Sequence, residues 1–351
     1  MEPLNVHDYE RLAEDRLDPG VFGYIAGGAG DEVTLRDNLE AFRRVKLRPR
    51  VLVDVSEVST RTEVLGREIS MPVLVAPTAY QHLLHPDGEA AGARAAAAAG
   101  TVFCHSTLSS HRPAALAAAA PDATLWFQLY WSRDRAFTAE LLREAETSGY
   151  TAVILTVDLP LAGRRERDLR TAFSLPEDMP LPNLSPDLDR PADPGAGLGF
   201  VVDRTLTWRD LEWLRAQTRL PLVVKGVLTR EDALLSCDHG AAAIVVSNHG
   251  GRQLDGTPAA LDALPEVVDA VGDRCEVLVD GGVRRGSDVL AALALGARAV
   301  LVGRAFLYGL GAAGEAGGAH VLELLREELG VGLALLGCPT PAAVTRTHVT
   351  A

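Results

Sequence analysis

Ala241-Ala242-Ala243-Ile244-Val245-Val246-Ser247-Asn248-His249-Gly250-Gly251-Arg252-Gln253-Leu254-Asp255-Gly256 passes without a break from an apolar run to a polar, glycine-rich one. Residues 241–246 are all Ala, Ile or Val, the pattern of a strand buried on both faces in a parallel sheet. The junction that follows holds a possible base, His249, and a cation three residues later, Arg252. A histidine there can act as a general base, an arginine can hold an anionic substrate, and glycines let backbone come close to a ligand. A glycine-rich turn with a solvated histidine and arginine would account for the stretch equally well, so the rest of the chain has to decide.

Working outward, the same strand-then-loop pattern recurs. Continuous apolar runs lie at 71–76, 101–106, 124–130, 152–158, 221–226, 242–247, 276–281 and 299–303, and helix-forming segments at 88–99, 135–147, 207–218, 230–237, 260–271 and 286–295 alternate with them. Continuous rather than alternating apolar strands imply a parallel sheet covered by helices. Eight such units predict an α/β (β/α)8 TIM barrel. Ahead of it, residues 1–70 read as an N-terminal helical extension, with short helices around the bend Ala26-Gly27-Gly28-Ala29-Gly30, Tyr24 just before it, and a lead-in hairpin over 47–68. The barrel occupies 71–320, and 321–351 form a C-terminal helix, over 321–336, and tail, all within one domain spanning 1–351. The segment 175–202, rich in Pro, Asp and Gly and without periodicity, reads as a long lid loop after strand 4.

Bulk properties narrow the function. The 351 residues suit one barrel with extensions, and 47% hydrophobic with 23% charged residues is a globular composition. A formal charge of −13 argues against general affinity for nucleic acid or anionic membrane, so clustered arginines and lysines become informative. Four cysteines, Cys104, Cys237, Cys275 and Cys338, show no metal-binding or C-x-x-C spacing and read as fillers in a reducing compartment; no metal site is expected. Neither a signal peptide nor a membrane span is evident, and a cytoplasmic location is the expectation.

Barrels of this kind keep their working groups at the carboxyl ends of the strands. Those ends carry Thr78, Ser106, Gln128, Tyr130, Thr156, Asp158, Lys225, Ser247, His249, Asp280 to Arg284, Gly303 and Arg304, a set too polar for strands that merely finish a core. The last two loops, Asp280-Gly281-Gly282-Val283-Arg284-Arg285-Gly286 and Gly303-Arg304-Ala305, bring glycines and arginines to predicted helix starts, which suits a phosphate. With a phosphate there, Gln128, Thr156 and Ser106 form a polar rim for a flat heterocycle such as a flavin, and Lys225 can stabilise negative charge arising on its reduction. In Gly163-Arg164-Arg165-Glu166 one arginine can take a carboxylate while the other is structural.

The ordered set S-N-H-G-G-R-Q-L-D-G, V-D-G-G-V-R-R-G, L-V-G-R, F-Q-L-Y, T-V-D and G-R-R resembles the FMN-dependent 2-hydroxy acid oxidase and dehydrogenase family, which includes glycolate oxidase, lactate oxidase and mandelate dehydrogenase. The resemblance extends from N-V-H-D-Y-E at residue 5 to the tail helix. It implies FMN as cofactor, His249 as the active-site base, Asp158 as its charge partner, and Arg165 and Arg252 on the substrate carboxylate. It implies that Tyr130 hydrogen-bonds the substrate oxygen and that Tyr24 contacts the carboxylate. Toward FMN it implies Ala76, Thr78, Ser106, Gln128, Thr156, Lys225 and Ser247, with Asp280, Gly282, Arg284, Gly303 and Arg304 at the ribityl and phosphate end.

The implied reaction oxidises an (S)-2-hydroxy acid to the 2-oxo acid, with oxygen as acceptor and hydrogen peroxide as product. Whether the α-carbon loses a proton or a hydride is left open. Leu108 replaces the tryptophan of glycolate oxidase, which tilts the reading away from the smallest acids. A-P-T-A-Y-Q-H-L-L-H-P-D-G-E, with Tyr80 for methionine, and the C-terminal G-C-P-T-P-A-A-V are similar to the 4-hydroxymandelate oxidase branch, so an aryl acid such as 4-hydroxymandelate or mandelate is expected. The alternatives are a lactate- or glycolate-type oxidase and a dehydrogenase passing electrons to a quinone or protein. The resemblance also implies a homo-oligomer, taken as a tetramer, with a small-molecule 2-hydroxy acid and oxygen as partners.

Overall fold

The computed structural model describes residues 3–185 and 202–350. Eight parallel strands close on themselves: β1 (Val73–Val75), β2 (Val102–His105), β3 (Thr124–Leu129), β4 (Ala152–Thr156), β5 (Leu222–Val227), β6 (Ala243–Val246), β7 (Glu276–Asp280) and β8 (Ala299–Val302). Each pairs with the next in sequence, and β8 returns to β1 through Leu301 opposite Leu74. The chain therefore folds as the (β/α)8 barrel that its strand pattern predicts. Except for β5, which runs one residue longer, the observed strands end one or two residues before the apolar runs do, which leaves most of the polar residues just beyond them on the mouth loops.

Apart from Thr124, Gly226 and Glu276, which are partly buried, the strand residues are buried because each strand has two faces to fill. Leu74, Val102, Trp126, Ile154, Val223, Val245, Leu278 and Leu301 pack inside the barrel, while Val73, Phe103, Phe127, Val153 and Val300 face the helices. Val64 and Ile69, from a hairpin of Thr62–Val64 and Arg67–Ile69, join the inner cluster. That hairpin is shorter than the expected 47–68. Lys46–Leu47 instead pairs with Val349–Thr350, and the stretch between is irregular.

Three helices precede the barrel: α1 (Val6–Arg16), α2 (Pro19–Ala26) and α3 (Val33–Arg44). Asp18 caps α2 and Pro19 opens it, so Tyr24 and Ile25 arrive at the barrel mouth on its last turn. The barrel helices are α4 (Gly88–Ala98), α5 (Pro113–Ala119), α6 (Arg135–Thr147), α7 (Glu166–Arg170), α8 (Asp210–Gln217), α9 (Arg230–Asp238), α10 (Ala260–Val271), α11 (Gly286–Ala294) and α12 (Arg304–Leu336). The tail helix expected at 321–336 is the second part of α12, whose backbone breaks at Ala313 and Gly314. Of the expected lid, residues 186–201 lie outside the described residues. Among the described residues no helix is long and apolar enough to cross a membrane.

Candidate active site

A cleft opens at the carboxyl ends of the strands, where barrels keep their ligand sites. Tyr24, Ala76, Thr78, Ser106, Tyr130, Arg165, Lys225, His249, Arg252, Asp280, Gly282, Arg284, Gly303 and Arg304 all line it. Gln128, Thr156, Ser247 and Asp158 sit just behind its surface and brace those that do. Gln128 Nε2 donates to Thr156 Oγ1 (3.1 Å), while its Oε1 accepts from Ser106 Oγ (3.3 Å) and the Thr107 N–H (3.1 Å).

His249 leaves β6 in a left-handed conformation, with φ of 57°, followed by Gly250 at 64° and Gly251 at 73°. A non-glycine residue there costs on the order of 1–3 kcal/mol, and such strain gathers at functional sites. A side chain at position 250 would put its Cβ 2.7 Å from Arg304 Nη1. The turn is held by Ser247, whose Oγ accepts from the His249 N–H and from Lys225 Nζ, both at 3.0 Å. His249 Nδ1 lies 2.8 Å from Asp158 Oδ1. Burial pulls the imidazole below its usual 6.5; the Asp158 charge opposes this, and the charges of Lys225 and Arg165 add to it. Burial alone would raise the Asp158 carboxyl, but the charges of His249 and Lys225 outweigh it and hold the group below 3.8. The pair is thus a neutral imidazole backed by a carboxylate, the state a general base needs.

Asp158 fits because β5 bulges beside it. Lys225 pairs with Val245 but Val227 with Val246, leaving Gly226 as an extra residue at φ 111°. A Cβ on Gly226 would lie 2.6 Å from Asp158 Cβ. Lys225 Nζ meets Asp280 Oδ2 at 3.2 Å. Burial would lower this ammonium, and Asp280 and Asp158 more than offset it, so Lys225 stays charged.

Two arginines flank the Tyr24 ring, with Arg252 Cζ at 4.7 Å and Arg165 Cζ at 5.8 Å from its centroid. Arg252 Nη1 donates to the carbonyls of Tyr24 (2.6 Å) and Gly27 (3.0 Å), fixing half of the guanidinium. Burial and the Arg165 charge push Arg252 down to about 10, still protonated at neutral pH. Arg165 Nε is buried without a hydrogen-bond partner. Its neighbour Arg164 is exposed, and its carbonyl accepts from the Gly30 N–H at 2.9 Å. Burial, with the Asp158 charge, drives the Tyr130 phenol above 10, which keeps it a neutral donor.

The far end of the cleft adds a bond network around Arg304 and departs from expectation at one helix start. Arg304 Nε, Nη1 and Nη2 donate to the carbonyls of Ile25, Gly250 and Gly27 at 2.9, 2.9 and 2.7 Å. Its guanidinium therefore ties the extension to the His249 loop with three of its five N–H groups, while it lines the cleft beside Arg284. At α11, Asp288 takes the N–H groups of Arg284 (2.8 Å) and Arg285 (2.9 Å), and Glu328 takes that of Gly286 (2.7 Å). Anion-binding amides thus belong to α12 alone of the two expected helix starts; its first turn at Gly303-Arg304 lies in the cleft, beside Gly282 and Arg284. Asp280 Oδ1, buried and without a partner, is an acceptor suited to a polyol hydroxyl. A cationic floor, a lone acceptor and helix-start amides in one elongated cleft fit a flavin mononucleotide.

Several residues in and around the site were not picked out from sequence. Thr107 Oγ1 accepts from the Tyr130 N–H (3.0 Å) and donates to the Gln128 carbonyl (2.6 Å), setting where Tyr130 leaves β3. Phe173 stacks on Tyr24 with centroids 4.7 Å apart. Asp168, on α7, is drawn toward the charges of Arg252 and Arg165 but burial dominates and raises it above 3.8. Glu89 is fully buried, accepting from the N–H groups of Gln81 (3.1 Å) and Ser110 (3.2 Å) and from Ser110 Oγ (2.7 Å). Away from the cleft, Cys237 and Cys275 Sγ atoms meet at 3.2 Å, a proximity that their 38-residue separation conceals.

A base–carboxylate pair, an arginine clamp and a flavin cradle at the mouth of one barrel define a flavin-dependent oxidoreductase of small carboxylic acids. Comparison with known proteins agrees. A model of the FMN-dependent dehydrogenase family matches residues 13–351, and the chain belongs to that family. It is 49% identical over 346 residues to L-lactate oxidase of Nostoc sp., covering 96% of this chain and 95% of that one. It is 49% identical over 354 residues to glycolate oxidase 1 of Zea mays, covering 99% and 96%. A crystal structure of mandelate oxidase with benzoyl-formic acid superposes with a TM-score of 0.90 at 45% identity, covering 99% of this chain and 98% of that one. The protein is an FMN-dependent 2-hydroxy acid oxidase.

Proposed function

We propose that the enzyme oxidises an (S)-2-hydroxy acid bearing an aryl group, of the mandelate or 4-hydroxymandelate kind, to its 2-oxo acid with formation of hydrogen peroxide. The observation carrying this reading is the apolar wall beside the arginine pair. Tyr80, Leu108, Tyr130, Leu159 and Val202 are buried in one cluster, with Tyr24, Leu83, Leu175, Leu181 and Leu184 packed against it. Tyr24 is stacked on Phe173 and lies 5.8 Å from Tyr80, so a flat apolar α-substituent meets ring faces and aliphatic carbon. Of this cluster Tyr24, Leu108 and Tyr130 line the cleft, and an aryl group gives them more contact than a methyl group or a hydrogen would.

The chemistry that FMN would supply when bound is acceptance of the two electrons leaving the substrate and their transfer to oxygen. In this reading Arg165, through its unpaired Nε, and the free side of Arg252 hold the carboxylate, and Tyr24 closes over it. Tyr130 donates to the substrate's α-oxygen. His249 takes the proton that the substrate releases, and Asp158 stabilises the imidazolium so formed. Ala76, Thr78, Ser106, Gln128, Thr156 and Ser247 serve the ring, with Lys225 charged beside it. Asp280, Gly282, Arg284 and the Gly303-Arg304 amides serve the ribityl and phosphate end.

The test is anaerobic mixing of the holoenzyme with glycolate, (S)-lactate, (S)-mandelate and (S)-4-hydroxymandelate, following loss of the flavin absorbance, and then admission of air. Fastest bleaching by the aryl acids with rapid recovery in air is expected. Faster bleaching by lactate or glycolate would replace the aryl reading with an alkyl one. Fast bleaching with slow recovery in air would point to another electron acceptor.

A further inference from the structure

Gln253 belongs to the Ser247–Gly256 motif that follows β6, yet it does not line the cleft and the reaction just described gives it no task. Its side chain nevertheless uses every group it has. Nε2 donates to the carbonyls of Asp158 and Leu161, both at 2.8 Å, and Oε1 accepts from the Gly163 N–H at 3.1 Å. All three partners lie on the loop after β4, the loop that carries Asp158 at its start and Arg165 at its end. Gln253 itself lies on the loop after β6, which carries His249 and Arg252. Beside these bonds the two backbones touch: a Cβ on Gly163 would fall 2.3 Å from the Arg252 carbonyl oxygen and 2.5 Å from that of Gln253.

We propose that Gln253 is a positioning residue, the clasp that sets Asp158 and Arg165 in register with His249 and Arg252. The two halves of the site come from strands separated by β5, so no β-ladder bond joins the loops directly. What relates them is this seam, supported by the bend of the extension, where Gly30 N–H donates to the Arg164 carbonyl and Ala29 N–H to the Gly251 carbonyl, each at 2.9 Å. One planar amide, giving two hydrogen bonds and taking one, holds three points of the loop after β4. Only glutamine combines that reach with both donors and an acceptor. The bonds to Asp158 and Leu161 fix the backbone from which the carboxylate reaches His249 Nδ1. The bond to Gly163 fixes the approach to Arg165.

This inference rests on the roles given above to His249 and the arginines. Its test is Gln253→Met, matched in length but unable to make the three bonds, with wild type run alongside. Flavin content, thermal stability, and the rate and substrate dependence of anaerobic flavin reduction per bound FMN are measured across pH. The expected result is full FMN content with the second-order reduction constant lowered roughly 10²-fold, the scale of a misplacement of about 1 Å. Both the limiting rate and the substrate dissociation constant should change. The acid limb should also move to lower pH, because a displaced Asp158 no longer holds the imidazole up. A purely structural role would lower thermal stability and leave the per-flavin constants and the pH limb as in wild type, and that result would overturn the proposal. Gln253→Glu gives a second, independent reading should the Met variant fail to fold. It keeps the acceptor for Gly163 and loses both donors, so the same direction of change is expected, and wild-type constants would again overturn it. Wild-type enzyme that is not reduced by any 2-hydroxy acid would reject the reaction itself, a separate outcome.

Discussion

His249 Nδ1 and Asp158 Oδ1 lie 2.8 Å apart, although 91 residues and two different strand-end loops separate them. The contact commits Nδ1 to the carboxylate and leaves Nε2 for the substrate. Asp158→Asn keeps the shape but removes the charge that stabilises an imidazolium. Flavin reduction should slow by about 10²–10⁴-fold while FMN stays bound, the scale of general acid–base effects. Stopped-flow reduction of the purified variant at saturating substrate measures this, and a loss below tenfold would deny Asp158 the role.

The pH dependence has a definite sign. Burial lowers His249 below 6.5, so its neutral form, the one able to take a proton, predominates at neutral pH and is lost as pH falls through the lowered value. The reduction constant should be level near neutrality and fall on an acid limb centred below 6.5. The same depression makes this group's contribution to folding stability present above 6.5 and lost on acidification. A limb centred above 6.5 in the free enzyme would contradict the burial argument.

The two arginines should separate experimentally. Arg165→Met removes a guanidinium whose Nε has no protein partner, so substrate affinity should fall by about 10–100-fold with little change in melting temperature, as for loss of a charge-assisted hydrogen bond worth roughly 1.5–3 kcal/mol. Arg252→Met also strands the carbonyl of Tyr24 and leaves that of Gly27 to Arg304 alone, so it should lower the melting temperature as well. Substrate titration and thermal melts of the two variants, side by side, check the contrast.

Glu89 offers a stability prediction away from the chemistry. Burial would raise its carboxyl, but hydrogen bonds from His111 and Ser110 outweigh that and bring it from 4.5 down to about 2. A group lowered in this way supports the fold above 4.5 and loses that support as pH falls toward about 2, an effect on the order of 3 kcal/mol. Glu89→Gln should therefore lower stability at pH 7 and flatten the loss between pH 5 and 3, read by urea unfolding at each pH.

The strands and the polar residues beyond them were legible because each is a local pattern: an apolar run, then a break. His249, Arg252 and Lys225 announced themselves by standing at such breaks. What stayed hidden depends on proximity across the fold. The tie of Arg304 to the extension stayed out of sight because its carbonyl partners at Ile25, Gly27 and Gly250 carry no side-chain signature. The starts of α11 and α12 looked alike, and only the approach of Glu328 and the cap from Asp288 distinguish them. Gly226 gave no hint of a bulge, since the extra residue shows only in the pairing of β5 with β6. Gln253 was in plain view within the motif, but its partners are backbone atoms of a loop about 90 residues earlier.

The most direct test of the account is anaerobic reduction of His249→Gln holoenzyme by the best substrate of the wild type. Retained FMN with reduction slowed by about 10²–10⁴-fold is the predicted result, because the cradle lies apart from the imidazole while the proton has lost its acceptor. Reduction at the wild-type rate, with FMN bound, would contradict the assignment of His249 as the base and with it the chemistry built on that corner of the barrel.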